Sequence, residues 1–175
     1  MVTSIKRDLL RIGNGKICIF RTLYLVVFDT GFLSVFLYRL YHPLYKCNIF
    51  SKFIAKLLFR FNILMTSSYL HPNSIIGGGF CLPHPVGVVI GDKSIVGEDV
   101  TIYQGVTLGR DGNKHYPEIK NHVIIYPNST VIGKIIVNDH VTIGANTFVN
   151  KDVRARETVV GLPARALPLK CDRKS

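Results

Sequence analysis

The sequence is poor in acidic side chains, in paired cysteines and in uninterrupted apolar runs. Only 11 of its 175 residues are Asp or Glu, against 22 Lys and Arg, which leaves a net charge of +11. A surplus of that size points to nucleic acid, an anionic membrane or a phosphorylated ligand. No nucleic-acid recognition motif accompanies it, so no nucleic-acid partner is expected. Cys18, Cys47, Cys81 and Cys171 are scattered, with no CxxC pair. Neither a disulfide framework nor a zinc site is supported, and reduced thiols in a cytoplasmic protein are the expectation. The apolar stretch between Arg21 and Arg39 is short for a bilayer span and is broken by Asp29 and Gly31. Lys6, Arg7 and Arg11 imitate the start of a signal peptide, but no small-residue cleavage site follows, and none is expected to be cut.

What is present is enough for a real core. Apolar residues make up 47% of the chain and charged residues 19%, which excludes disorder for most of it. The charge is unevenly spread. Residues 1–70 carry 10 basic and 2 acidic side chains, residues 71–160 carry 8 of each, and residues 161–175 carry 4 and 1. The middle is neutral, so the surplus belongs to an N-terminal segment and a tail.

Up to about residue 68 the apolar period is helical, as in Phe20, Tyr24, Val27 and Phe28, then Phe32, Val35, Phe36 and Leu40. Asp29-Thr30-Gly31 reads as a break, with Asp29 or Thr30 capping the next helix. His42-Pro43 reads as another boundary. Phe50–Phe61 reads as an amphipathic helix with Lys52, Lys56 and Arg60 on one face.

Beyond residue 68 a period of six takes over. Ile119, Ile125, Val131, Val137, Ile143 and Val149 fall at steps of six. Four positions after each comes a slim or β-branched residue: Val123, Ser129, Ile135, Val141, Thr147 and Val153. Upstream, Leu70, Ile76, Leu82 and Val88 keep the step; a two-residue slip follows, then Val96, Ile102 and Leu108. Residues 109–118 break the period as an inserted loop. Hexads of this kind are the signature of a parallel β-helix. In the left-handed form three hexads close a triangular coil, so the expected fold is mainly β: a left-handed parallel β-helix of about four coils after a small α-helical region. Three parts are expected: a basic helical region (1–68), the β-helix with its loop 109–118 (69–160), and a basic tail (161–175).

Several stretches identify a resemblance. Leu70-His71-Pro72, Leu82-Pro83-His84-Pro85-Val86-Gly87-Val88-Val89-Ile90-Gly91, Gln104-Gly105-Val106-Thr107-Leu108-Gly109, His115-Tyr116-Pro117-Glu118-Ile119 and Gly161-Leu162-Pro163-Ala164-Arg165 resemble the serine acetyltransferase branch of the hexapeptide-repeat acyltransferases. The resemblance implies an acetyl-CoA-dependent acyltransferase without a metal. It implies a homotrimer with acetyl-CoA in the cleft between neighbouring prisms; pairing of trimers into a hexamer stays open. His84 matches the family's catalytic histidine, a general base for the acceptor hydroxyl. His115, at the end of the loop, matches a second active-site histidine. The cofactor is expected at Gly109, Ala145, Thr158, Gly161, Pro163, Ala164 and Arg165, with Lys170 and the tail suited to its phosphates.

The chain departs from the branch where serine would be held. Tyr69 and Pro83 stand where the branch carries aspartates, and Lys114 where it carries arginine, so Tyr69 and Lys114 are the candidate acceptor contacts. A buried ammonium without carboxylates is unfavourable. The expectation is therefore acetyl transfer to a sugar hydroxyl in capsule, exopolysaccharide or O-antigen synthesis, with serine O-acetylation for cysteine synthesis as the alternative. A cytoplasmic location is expected, with residues 1–68 suited either to oligomer contacts or to the membrane surface.

Overall fold

A computed structural model describes residues 2–12 and 19–161 of the chain. Four helices come first: α1 (Val2–Ile12), α2 (Ile19–Phe28), α3 (Thr30–Lys46) and α4 (Ile49–Thr66). Asp29 caps α3, its carboxylate accepting from the Phe32 N–H at 2.8 Å. Asn48 caps α4 in the same way through the Ser51 N–H, at 2.9 Å. Both supply an acceptor to an amide that has no partner within its helix. The boundary expected at His42-Pro43 does not form. Pro43 sits inside α3, one turn from its end, where its missing N–H forfeits a single hydrogen bond. The helix continues because Leu44 and Tyr45 pack on the core.

Thirteen strands of two or three residues follow. They are β1 (Tyr69–Leu70), β2 (Ile75–Ile76), β3 (Val89–Ile90), β4 (Ile95–Val96), β5 (Thr101–Ile102), β6 (Thr107–Gly109) and β7 (Glu118–Ile119), then β8 (Ile124–Ile125), β9 (Thr130–Ile132), β10 (Ile136–Val137), β11 (Thr142–Ile143), β12 (Phe148–Val149) and β13 (Thr158–Val159). They stack in parallel into three faces. Face A is β1-β3-β6-β9-β12, face B is β2-β4-β7-β10, and face C is β5-β8-β11-β13, extended by Cys81 against Thr101. This is the left-handed parallel β-helix expected. Face A carries five rungs, so the prism runs to about five turns where the repeat count suggested four. The repeat count of four sets the whole loop aside, whereas part of it serves the regular turn between β6 and β7.

Strand alternation puts one side chain of each rung inside. Leu70, Ile90, Leu108 and Val131 form the interior column of face A; Ile76, Val96, Ile119 and Val137 that of face B; Ile102, Ile125 and Ile143 that of face C. All are buried. The slim positions of the hexads, such as Val88, Val106, Val123 and Ser129, fill the corners and are fully buried.

The slip lies elsewhere than the pattern suggested. Rungs follow at six-residue steps, but Cys81 and Val89 stand eight apart, so the two extra residues are in the turn 83–88. Val88 holds a slim corner position, equivalent to Val106 one coil on. The pattern misled because a valine suits both the corner and the strand interior.

The first coil is closed by the helices. Tyr38 and Tyr41 of α3 donate their hydroxyls to Ser74 O and Leu70 O, both at 2.7 Å. Arg39 donates to Ile76 O and Gly77 O and pairs with Asp8 of α1 at 2.9 Å. Asp8 also accepts from the Phe80 N–H at 3.0 Å. Solvent is excluded from the pair, and breaking one partner would strand a charge.

Replacing Ile125 by Ala should lower stability by about 3 kcal/mol in urea unfolding, because a filled column cannot collapse around the void. Ile136→Ala, on the outer side of its rung, should cost less than about 1 kcal/mol.

Candidate active site

The turn 83–88 joins face C to face A. Leu82 and Pro85 anchor it inside, and the Val88 N–H closes on Pro85 O at 3.1 Å. Gly87 has φ +71°, a conformation that strains side-chain-bearing residues. Two extra residues on a tightly anchored corner push the intervening side chains outward, and His84 is exposed between Pro83 and Pro85. Among the described residues it makes no hydrogen bond or ion pair, so its imidazole is free to meet a substrate.

The inserted loop, residues 110–117, joins β6 on face A to β7 on face B. It is pinned by its own backbone and by one aspartate. Asp111 N–H donates to His115 O at 3.0 Å, and Lys114 N–H to Asp111 O at 3.1 Å. The Asp111 carboxylate accepts from the His115 N–H at 2.8 Å and lies 3.3 Å from His115 Nδ1. These contacts, the backbone amide foremost, hold the Asp111 carboxyl below the ordinary aspartate range. Asp111 was not among the residues singled out by sequence. The signal was there, an acidic side chain four positions before the loop histidine, but only the loop's closure makes that spacing a contact. Lys114 sits at the tip with φ +67° and faces solvent.

Along the C-to-A edge, the backbone builds a ladder. Gly105 N–H donates to Val86 O, Asn128 N–H to Gln104 O and Asn146 N–H to Pro127 O. His84 stands at the start of that edge, and Ala145, exposed, near its end. Thr158 on β13 leads into the last step, and Gly161 N–H donates to Thr147 Oγ1 at 2.9 Å. A Cβ on Gly144 would meet Val160 Cγ1 at 2.8 Å, and one on Gly161 would meet Asn146 O at 2.9 Å, so packing of the last coil accounts for both glycines. Gln104 lies on the same edge. Its Oε1 is buried and, among the described residues, the one such side-chain atom without a partner. Sequence offered no reason to single it out, since burial of one oxygen is a tertiary property.

Gly109, Lys114 and His115 lie on the other side, on the A-to-B edge. The candidate residues thus fall into two groups on opposite edges of face A: His84, Ala145, Thr158 and Gly161 on one, and Gly109, Lys114 and His115 on the other. One prism does not bring His84 and His115 together. Tyr69 belongs to neither group. Its ring packs edge-on against Phe59 of α4 at 5.0 Å and beside His71 at 6.2 Å. Pro163, Ala164, Arg165 and Lys170 lie outside the described residues. Of the other histidines, His71 is half-buried beside Asp92 at 3.2 Å, where burial lowers its pKa and the carboxylate opposes that shift. His122 and His140 stack at 4.7 Å on the B-to-C corner.

A stacked-hexad prism with one inserted loop, and an exposed histidine at each of its two irregular corners, points to an acyltransferase of the hexapeptide-repeat class. Comparison agrees: residues 116–151 match the family model for bacterial transferase hexapeptide (six repeats). Serine acetyltransferase of Helicobacter pylori strain J99 is 39% identical over 140 residues, covering 78% of this chain and 81% of the relative. Serine acetyltransferase of Brucella abortus, solved in complex with coenzyme A, superposes with a TM-score of 0.81 at 30% identity, over 94% of this chain and 66% of that one. The Neisseria gonorrhoeae enzyme, solved in complex with serine, gives 0.80 at 30% identity, over 94% and 68%. The chain belongs to the serine acetyltransferase family and is an acetyl-CoA-dependent acyltransferase.

These relatives overturn the sugar acceptor expected from sequence. That expectation leaned on Tyr69 and Pro83 in place of aspartates. Tyr69 packs against Phe59 at the junction of α4 with the first coil, which accounts for an aromatic ring at this position.

Replacing Asp111 by Ala should release the loop. Trypsin cleavage after Lys114 should speed up several-fold, with little change in the urea midpoint. In the wild type, a depressed carboxyl pKa means the restraint is complete above the ordinary Asp range and fades only in acid, as pH falls through the folded-state value. Cleavage by an acid-active protease should therefore rise only well below neutral pH.

Proposed function

We propose that the chain is a serine O-acetyltransferase that supplies O-acetylserine for cysteine synthesis. The observation that carries this reading is the identity of 39% sustained over 140 residues with a serine acetyltransferase. The acyl donor is already activated, so the protein's task is to orient the serine hydroxyl and take its proton. His84 is the general base. As the Oγ–H proton passes to its imidazole, Oγ attacks the thioester carbonyl and a C–O bond forms. The C–S bond then breaks, and the imidazolium returns the proton to the CoA sulfur. His115, held by Asp111, orients the acceptor, and Lys114 offers a cation to the serine carboxylate. Ala145, Thr158 and Gly161 line the course of the pantetheine arm, with Gly109 on the facing edge. Arg165 and Lys170 of the tail meet the CoA phosphates.

The placement of the two histidines on opposite edges of face A supports an active site shared between protomers. In a cyclic trimer the C-to-A edge of one prism can face the A-to-B edge of the next, which a single chain cannot achieve. The enzyme is accordingly a homotrimer acting in the cytoplasm.

CoA release from acetyl-CoA should be fast with L-serine and slight with free or nucleotide-linked sugars; the reverse preference would sink the reading. His84→Ala should lower kcat by about 10²–10⁴-fold. His84→Ala and His115→Ala protomers, denatured together and refolded in equal amounts, should recover about a quarter of wild-type activity, because each mixed trimer rebuilds one intact site of three. No recovery would place both histidines in one protomer's site.

A further inference from the structure

Helix α4 is apolar on the side that faces away from the core. Ala55, Asn62 and Thr66 are its buried face. On the opposite side Phe50, Phe53, Leu57, Phe61 and Leu64 follow at three- and four-residue spacing, with exposures from 48% to 81%. They form one stripe along an 18-residue helix about 27 Å long. Apolar stripes of this extent mark contact surfaces.

One flank of the stripe is cationic. Lys52, Lys56 and Arg60 recur at four-residue spacing and are exposed. No acidic residue occurs between Asp29 and Asp92, and none of the three cations joins an ion pair among the described residues. Under this flank, α4 and the first coil enclose a recess in two halves. One, of about 210 Å³, is lined by Tyr45, Lys56, Arg60 and His71. It continues past Phe59 and Arg60 into a second of about 340 Å³, lined by Ile63, Leu64 and Tyr69.

We propose that α4 docks on the surface of an anionic phospholipid bilayer, with the stripe at the acyl boundary and Lys52, Lys56 and Arg60 among the phosphates. A second copy of the chain answers the stripe but not the flank. In an antiparallel twofold contact along the stripe the three cations would meet their own copies, and in any other contact between these elements α3, α4 and the first coil offer no carboxylate to pair with them. An anionic bilayer satisfies both. Helix α2 has the same character, exposing Phe20 and Phe28 beside Arg21 with no acidic residue. No single helix among the described residues is long and apolar enough to cross a membrane, so the contact is peripheral. The proposal is independent of the acceptor.

Flotation of the full chain with vesicles tests it. Wild type should float with phosphatidylcholine vesicles containing phosphatidylglycerol at low salt, stay behind with pure phosphatidylcholine, and be released from the anionic vesicles as salt rises. The triple substitution Lys52→Gln, Lys56→Gln and Arg60→Gln should weaken partitioning by roughly 100-fold, with unchanged CoA release showing that the protein is folded. Leu57→Glu with Phe61→Glu should abolish it. The proposal fails if wild type does not float with anionic vesicles, or if the triple variant floats as well as wild type, since the basic tail would then suffice. It also fails if the double glutamate variant keeps vesicle binding but changes oligomeric mass by ultracentrifugation, which would make the stripe an interface between copies.

Discussion

Every strand here is two or three residues long, so none can stand except on the rung beside it. That dependence organises the molecule. It explains the strict interior column, where each aliphatic side chain is the floor of the next, and the slim corners, where the chain turns without room for bulk. It also sets what the ends must do. A coil with no neighbour leaves its carbonyls open, and the helical region meets that need with Tyr38, Tyr41 and Arg39. The basic N-terminal segment is thus part of the fold through its inner face, which leaves its outer face for other uses.

The same constraint confines function to places where the repeat is broken. A regular hexad offers only short strands and tight corners, with little room to project a segment of chain from the prism. The chain departs from the period at two corners, by two extra residues at 83–88 and by the loop at 110–117, and each departure exposes one histidine. Both corners border face A, one on each side, so a single prism holds the two histidines on opposite edges. Threefold packing of such prisms, as proposed above, is the simplest way to bring the two corners together.

Much of this was legible in the residues. The period of six named the fold, because interior aliphatic spacing is a property of the chain order alone, and the resemblance of the surrounding stretches singled out His84 and His115. Two points were misread for physical reasons. Val88 suits a strand interior and a corner equally, so the slip was placed one step late. Tyr69 in place of an aspartate pointed to a sugar acceptor, which the relatives overturn; its ring packs against Phe59 of α4, a contact between segments that the repeat does not encode.

By itself the sequence determined the prism, its aliphatic columns and the inserted loop, since these follow from local spacing; the acyltransferase chemistry and its two histidines were legible through the resemblance of the motifs around them. Tertiary structure alone decided which edge each histidine occupies, that Asp111 closes the loop on His115, and that the acid-free helix α4 turns an apolar stripe outward. Those facts depend on how coils stack and on which helix face the first coil covers. The surplus of positive charge, which the sequence confines to the N-terminal segment and the tail, is in part carried on the flank of α4, away from the neutral prism.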